Sequence, residues 1–159
     1  DVLNILNLKV LNALKQYDKG ASAKYGMDIA LISIDKNKPT LEFSGAHNSL
    51  LIFRNRECIQ LKADRLSVGS MVREETGTFT NHEFTLQKGD MLYMFSDGYA
   101  DQIGGPDNKK YFSTPFRILL QSICELEMQE QRKILDQTIT DWRGKRSQID
   151  DILIIGIRI

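Results

Sequence analysis

The sequence predicts an α+β fold in which helices and antiparallel sheets form a layered sandwich. A segment with helical spacing opens the chain, five or six short alternating segments follow, and two helical segments precede a last apolar run. Because the strands succeed one another through short turns, the pattern favours antiparallel sheets over a doubly wound parallel sheet. A length of 159 residues suits one domain with its own core, so we expect a single domain over residues 1–159.

The first half of the chain is predicted to form one helix and two hairpins. Leucine and valine recur at helical spacing over residues 1–17. Four strands, paired through turns rich in Asn, Lys, Arg and Pro, are predicted at 27–35, 40–46, 50–54 and 57–61. The pattern weakens over residues 62–77, where glycines interrupt it, and we predict a long surface loop there.

The second half is predicted to contain three strands and two long helices. The strands are placed at 78–86, 91–95 and 149–159, with a helical turn at 99–102, a loop at 104–108 and helices at 114–125 and 128–142. Consecutive apolar residues fill the last strand, which predicts a central strand buried on both faces.

Composition excludes several functional classes. Lys plus Arg and Asp plus Glu both total 21, so no basic excess supports a nucleic-acid partner or an anionic membrane surface. The longest apolar runs are too short to cross a bilayer, and no membrane association is expected for this segment. Cys58 and Cys124 lack any metal-binding spacing and are predicted to be reduced thiols, which favours a cytoplasmic location.

Two segments each place a carboxylate beside an apolar strand. Residues 89–98 read GDMLYMFSDG and end in Asp97 and Gly98, whereas Asp150 stands just before the last apolar run. If these strands are antiparallel neighbours, Asp97 and Asp150 reach the same end of the sheet, and Gly98 permits close backbone approach. Converging carboxylates favour a site for a hard divalent cation and therefore phosphate chemistry.

A structural alternative explains the same residues without a ligand. Ser-Asp-Gly is a common turn sequence, so Asp97 and Gly98 also fit an ordinary turn. The acidic residues before the last strand also have possible ion-pair partners nearby, namely Arg143, Lys145 and Arg146.

Several motifs in order carry a resemblance to a known family. They are GDMLYMFSDG at 89–98 with DDI at 150–152, GMDIA at 26–30, SGAHNSL at 44–50 and LSVG at 66–69. Together they resemble the metal-dependent (PPM-type) serine/threonine protein phosphatases and, more narrowly, their bacterial SpoIIE-like branch. Leu50 and Ser67 stand where this branch usually has proline, and Leu153 where it usually has threonine.

The resemblance implies a fold, an activity and a metal site. The fold is an αββα sandwich, and the activity is hydrolysis of phosphoserine or phosphothreonine by water at a dinuclear Mn²⁺ or Mg²⁺ centre. Asp97 and Asp150 match two late metal-ligand aspartates of the family, and Gly98 matches the glycine beside the first. The implied partners are a phosphorylated protein substrate and an upstream sensor or regulatory domain in a signalling protein.

One departure from the family pattern concerns the first metal-ligand motif. The G-D-x-x-D stretch and the D-x-x-G-H-G loop are absent from these residues. We therefore expect the chain to be the C-terminal portion of a phosphatase domain, truncated at its N-terminus and inactive alone. The alternative is a non-catalytic pseudophosphatase that binds a regulatory partner. Strands left without neighbours would also favour a homodimer.

Overall fold

The computed structural model describes residues 2–14, 26–35, 37–69, 71–72 and 75–159 and confirms the α+β class. Two compact units make up the chain, one of Asp1–Leu50 with Gln60–Gln87 and one of Leu51–Ile59 with Lys88–Ile159. Each unit is described separately below. The single domain over residues 1–159 stays a prediction.

The predicted elements are present, most of them close to the expected bounds. The helices are α1 (Val2–Ala13), α2 (Gly98–Asp101), α3 (Ser113–Ile123) and α4 (Met128–Arg143). The strands are β1 (Ile29–Ile34), β2 (Thr40–Ala46), β3 (Leu50–Arg54), β4 (Glu57–Leu61), β5 (Met71–Val72), β6 (Glu75–Thr76), β7 (His82–Thr85), β8 (Met91–Phe95), β9 (Ile103–Gly104), β10 (Lys109–Lys110) and β11 (Ile154–Arg158). The predicted end of the first helix, from residue 15 on, lies outside the described residues. Every described helix falls short of the length and apolar character that a membrane span requires.

The first unit contains an antiparallel sheet in the order β1-β2-β7. Helix α1 buries one face, on which Leu3 and Leu11 are less than 2% exposed. Leu3 packs in a core cluster with residues that lie far apart in the sequence, namely Ala46, Leu66, Val68 and Phe79. Helix, sheet and the following segment thus share one core.

The prediction of a surface loop over residues 62–77 is wrong for part of that segment. Leu66 and Val68 are buried in the core of the first unit. The buried Asn7 side chain of α1 bonds this segment at two points, because its Oδ1 accepts from the Gly69 amide at 2.7 Å and its Nδ2 donates to the Gly77 carbonyl at 3.3 Å. Short pairings such as β5 with β6 also occur there, which a weak apolar pattern does not reveal.

The second unit is built on a four-stranded sheet in the order β11-β8-β3-β4. Its core cluster draws on alternate residues of β3 and β8 and on the inner faces of α3 and α4. These residues include Leu51, Phe53, Met91, Tyr93, Phe116, Leu120, Ile123 and Leu135. Since the helices supply half of that list, α3 and α4 cover one face of the sheet.

The prediction that the last strand is central and buried on both faces is wrong for the described part of the chain. There, β11 pairs with β8 alone and forms an edge of its sheet. Leu153 is 57% exposed and Ile155 is 43% exposed, so one side of the strand faces solvent. In this sheet, the run of consecutive apolar residues belongs to an edge strand and not to a buried central strand.

A buried ion pair lies where β8 begins. Arg54, at the end of β3, donates to both carboxylate oxygens of Asp90 at 2.8 and 2.7 Å. The Asp90 side chain is 1% exposed, and its hydrogen bond with Arg54 raises the pKa of the guanidinium. The backbone of Asp90 also accepts from the amide of Ile159 at 3.0 Å. This residue therefore joins β3, β8 and the end of the chain.

Breaking this ion pair is expected to cost much more than breaking an exposed one. Arg54→Met would leave the buried carboxylate without this partner and lower the free energy of unfolding by about 3–5 kcal/mol. The control is Arg56→Met, since Arg56 pairs with Glu125 through side chains that are 63% and 55% exposed, and such pairs contribute about 1 kcal/mol or less. Denaturant unfolding of both variants is the measurement, and equal losses would contradict the assigned role of Asp90.

Candidate metal centre

Strand pairing in the second unit brings the two acidic strand ends together. β8 and β11 are antiparallel neighbours, with Phe95 opposite Ile154, so the condition under which Asp97 and Asp150 reach one end of the sheet is met. The pairing extends one step beyond the strands, because the Ser96 amide donates to the Leu153 carbonyl at 3.0 Å. Asp97 leaves the sheet at the end where Asp150 enters it, so both aspartates belong to one end of the sheet.

Gly98 lies in close backbone contact with the segment that carries Asp150. A Cβ atom added at this buried glycine would lie 2.4 Å from the carbonyl oxygen of Asp151 and 3.4 Å from the carbonyl carbon of Asp150. No side chain fits at such a distance from backbone atoms. The glycine therefore allows the chain after Asp97 to lie directly against the chain after Asp150.

The hydroxyl of Ser96 fastens the two segments to each other. Its Oγ donates to the Asp151 carbonyl at 2.7 Å and accepts from the Leu153 amide at 3.0 Å. Sequence reasoning missed this role, and the only available signal was a hydroxyl residue directly before the acidic turn. The hydroxyl continues the β8–β11 ladder where the regular backbone pairing ends.

Asp97 and Asp150 both present carboxylate oxygen atoms to solvent. Asp97 is exposed, and its carboxylate makes no hydrogen bond or ion pair with another described residue. One oxygen of the exposed Asp150 carboxylate, Oδ1, accepts from the amide of Asp151 at 2.7 Å. This internal bond orients the Asp150 side chain and leaves its second oxygen available.

The described residues do not form the ion pairs of the structural alternative. Arg146 instead bonds Asn108 Oδ1 at 2.8 Å and the Gly105 carbonyl at 3.3 Å. The ion pairs found in the described part of the second unit join other residues, namely Arg54 with Asp90, Arg56 with Glu125, Lys109 with Asp107 and Lys110 with Asp101. Neutralisation by a neighbouring cationic side chain therefore does not account for Asp97 or Asp150.

The donor set fits a hard divalent cation in its chemistry but supplies only part of a coordination shell. Asp97 and Asp150 offer oxygen ligands, which Mg²⁺ and Mn²⁺ prefer. Within the described ranges, no group of three or more His, Cys, Asp or Glu residues is placed to hold a metal ion. The two aspartates therefore fit as contributors to a metal site rather than as a complete one.

His47, His82 and Asp28 have structural roles in the first unit. His47 adopts a positive φ of 58° at the corner after β2, and its amide donates to the Asp64 carbonyl at 2.9 Å. His82 packs its ring against Phe43 with centroids 5.8 Å apart. Asp28 accepts from the Ser67 hydroxyl at 2.6 Å, which joins two segments of the first unit that lie far apart in the sequence.

Comparison with known families decides the assignment. A family model described as Stage II sporulation protein E (SpoIIE) matches residues 1–159. The chain belongs to the SpoIIE family. The resemblance seen in its motifs is thereby confirmed for the whole length of the sequence. A search of curated proteins gave no significant match.

Solved structures with the same fold include several phosphatase domains. The SiaA-PP2C domain of Pseudomonas aeruginosa matches with a TM-score of 0.80 and 23% identity over 99% of this chain and 69% of that one. The phosphatase domain of SpoIIE from Bacillus subtilis matches with a TM-score of 0.64 and 18% identity over 98% and 64%. PppA, a regulatory component of T6SS in Pseudomonas aeruginosa, matches with a TM-score of 0.63 and 15% identity over 98% and 66%.

These similarities establish the fold of the SpoIIE-family chain. They confirm the predicted PPM-type α+β fold class, since these neighbours are bacterial phosphatase domains of the PP2C type. The chain spans 64% of the length of the Bacillus subtilis phosphatase domain.

The Ser96 hydroxyl is expected to contribute measurably to stability. Ser96→Ala removes both of its bonds across the acidic segments and should lower the free energy of unfolding by about 1–2 kcal/mol. Ser122→Ala is the control, because among the described residues the Ser122 hydroxyl bonds the Leu119 carbonyl alone, within its own helix turn. Denaturant unfolding that gives the same small change for both variants would contradict the role assigned to Ser96.

Proposed function

We propose that the SpoIIE-family chain forms part of a metal-dependent protein phosphatase that hydrolyses phosphoserine or phosphothreonine. The observation that carries this proposal is the meeting of Asp97 and Asp150 at one end of the β8–β11 pair, with backbone contact at Gly98. Two carboxylates at the same end of a sheet repel each other, and a bound cation would relieve that repulsion. A divalent ion that also binds a phosphate ester would be such a cation.

In the proposed mechanism, the residues of this chain hold and orient the metal site. Asp97 and Asp150 supply one carboxylate each, while Gly98 and Ser96 fix the distance between the two segments. When bound, Mn²⁺ or Mg²⁺ supplies Lewis-acid stabilisation of the charge that develops as water displaces the serine or threonine oxygen from phosphorus. Further ligands are required, and we propose that residues outside the described ranges provide them.

We further propose that the phosphatase acts on a phosphorylated protein under the control of a regulatory domain. Support comes from a related structure that contains the PP2C phosphatase domain and a fragment of the regulatory domain of SpoIIE from Bacillus subtilis. The free thiols of Cys58 and Cys124 support a reducing, cytoplasmic location. Output from a bacterial signalling protein is the proposed cellular role.

A second candidate function is a pseudophosphatase that binds a partner without turnover. One observation favours it, namely that the described residues contain no group of three metal-binding side chains. In this candidate, Asp97 and Asp150 would remain exposed acidic residues at a binding surface. Metal binding separates the two candidates, because only the phosphatase requires it.

Substitution of either aspartate is expected to abolish metal-dependent hydrolysis. In the longest natural protein that contains these 159 residues, Asp97→Asn or Asp150→Asn should lower Mn²⁺-dependent hydrolysis of p-nitrophenyl phosphate by about 100-fold or more. The estimate follows because loss of residues that merely support metal ligands already costs about 10–100-fold.

The matched control for this experiment is Asp107→Asn. Asp107 is an exposed aspartate of the same unit that pairs with Lys109. Calorimetric titration with Mn²⁺ and with Mg²⁺ should show weaker binding for the two site variants alone and identify the preferred metal. Full activity in both site variants would refute the phosphatase assignment, and a folded wild-type protein with neither metal binding nor activity would support the pseudophosphatase.

We also propose that β11, which has β8 as its one strand neighbour among the described residues, pairs along its other edge with the same strand of a second copy. Residues 154–157 carry no charge, and the one charged residue of β11, Arg158, donates through Nη2 to the Cys124 and Leu126 carbonyls. An edge segment of four uncharged residues favours strand pairing, and antiparallel pairing of identical strands gives a two-fold dimer.

A lysine on this edge is expected to prevent the dimer. Ile155→Lys places a charge on the exposed side of β11 and should convert the protein to a monomer in sedimentation velocity experiments. Ile118→Lys is the control, because Ile118 is 58% exposed on α3 and is not on the edge. A wild-type protein that stays monomeric across a hundredfold range of concentration would rule out the dimer.

A further inference from the structure

A buried glutamine lies between the two segments that carry the acidic residues. Gln102 follows α2 directly and is 0% exposed. Its amide donates to the Gly98 carbonyl at 3.1 Å, which connects it to the turn that contains Asp97. Its side-chain Nε2 donates to the Ser147 carbonyl at 3.1 Å and to the Ile103 carbonyl at 3.0 Å.

The main-chain carbonyl of Gln102 accepts further hydrogen bonds. Its carbonyl accepts from the indole Nε1 of Trp142 at 3.0 Å and from the Tyr111 amide at 3.0 Å. Trp142 packs so closely that a Cβ atom at Gly104 or Gly105 would lie within 2.6 Å of it. The main chain of Gln102 is therefore held by Trp142 of α4 and by Tyr111, the residue after β10.

The segment before Asp150 needs such an attachment because it has few others. Residues 147–151 are all exposed. Their other described side-chain bonds are made by exposed or half-buried groups, namely Gln148 Nε2 to the Asp150 carbonyl at 2.8 Å, Asp150 Oδ1 with the Asp151 amide at 2.7 Å, and Ser96 Oγ to the Asp151 carbonyl at 2.7 Å. Hydrogen bonds in contact with water contribute less to order than those of a buried donor. The bond from Gln102 to Ser147 is thus the attachment with a fully buried donor residue.

We propose that Gln102 is a positioning residue that sets Asp150 relative to Asp97 through the bonds of its main chain to Gly98 and of its side chain to Ser147. Because its side chain is buried, we do not assign it as a metal ligand. The proposal rests on the proposed function, because the distance between the two aspartates matters only if they share a ligand. Its direct structural consequence, the order of residues 147–153, is measurable without any metal.

The test compares two buried glutamines of the second unit. Gln102→Met removes both side-chain donor bonds with little change in volume. Gln131→Met is the matched control, because Gln131 is 2% exposed and also makes two side-chain bonds, with the Tyr93 hydroxyl at 2.6 Å and the Leu126 carbonyl at 2.8 Å. Neither of these control bonds reaches α2 or residues 147–151.

Amide hydrogen exchange is the first measurement. In the metal-free protein, Gln102→Met is expected to accelerate exchange at Asp151 and Leu153 by about tenfold, as the loss of a buried bond predicts. Gln131→Met should leave these amides unchanged. Equal acceleration in both variants, or none in Gln102→Met, would overturn the positioning role. Gln102→Asn, whose amide is one carbon shorter, gives the same contrast if Gln102→Met does not fold.

A titration with Mn²⁺ separates this proposal from the proposed function. Gln102→Met should weaken Mn²⁺ binding about tenfold, as is typical for residues that orient metal ligands, whereas Gln131→Met should not. If the wild-type protein binds no Mn²⁺ but exchange changes as expected, the phosphatase proposal fails while the positioning of Asp150 by Gln102 stands. Unchanged Mn²⁺ affinity with accelerated exchange would refute the link between positioning and the metal.

Discussion

The antiparallel pairing of β8 with β11 is the constraint on which the candidate site depends. It joins two segments more than fifty residues apart in the sequence and aligns their acidic ends at one end of the sheet. At its far end, the pairing is secured by the bonds between the Gly89–Asp90 turn and Ile159, and by the buried carboxylate of Asp90 with Arg54. β11 has no second strand neighbour in the described residues, so these contacts help to hold it in the sheet.

The candidate site consists of exposed turns that are attached to a packed sheet. Helices α3 and α4 cover one face of the sheet and leave the acidic residues on turns at its end. Such an arrangement keeps charged groups in water while a packed core fixes the backbone that carries them. The side chains of Ser96 and Gln102 connect the exposed turns to the packed part of the unit, because each donates a hydrogen bond to a backbone carbonyl of the loop around Asp150.

Local patterns in the sequence predicted the helices and strands but not how deeply each of them is buried. β2, β3, β4 and β8 were predicted to the residue, because alternation and turn residues are local signals. The motifs at the strand ends predicted that Asp97 and Asp150 reach one end of the sheet if their strands pair, and the pairing of β8 with β11 meets that condition. Other features depend on residues that are distant in the sequence, so no local pattern encodes them. They are the burial of Leu66 and Val68, the edge position of β11, and the hydrogen bonds of Ser96 and Gln102.

The contact between Trp142 and the β9–β10 hairpin makes the intrinsic tryptophan fluorescence sensitive to the structure of this region. Trp142 is the only tryptophan in the chain, and its indole donates to the residue that links the two acidic segments. Indole emission responds to the polarity and hydrogen bonding of its surroundings. Any rearrangement of the hairpin or of Gln102 on metal or partner binding would therefore change the intrinsic fluorescence, with no label attached to the protein.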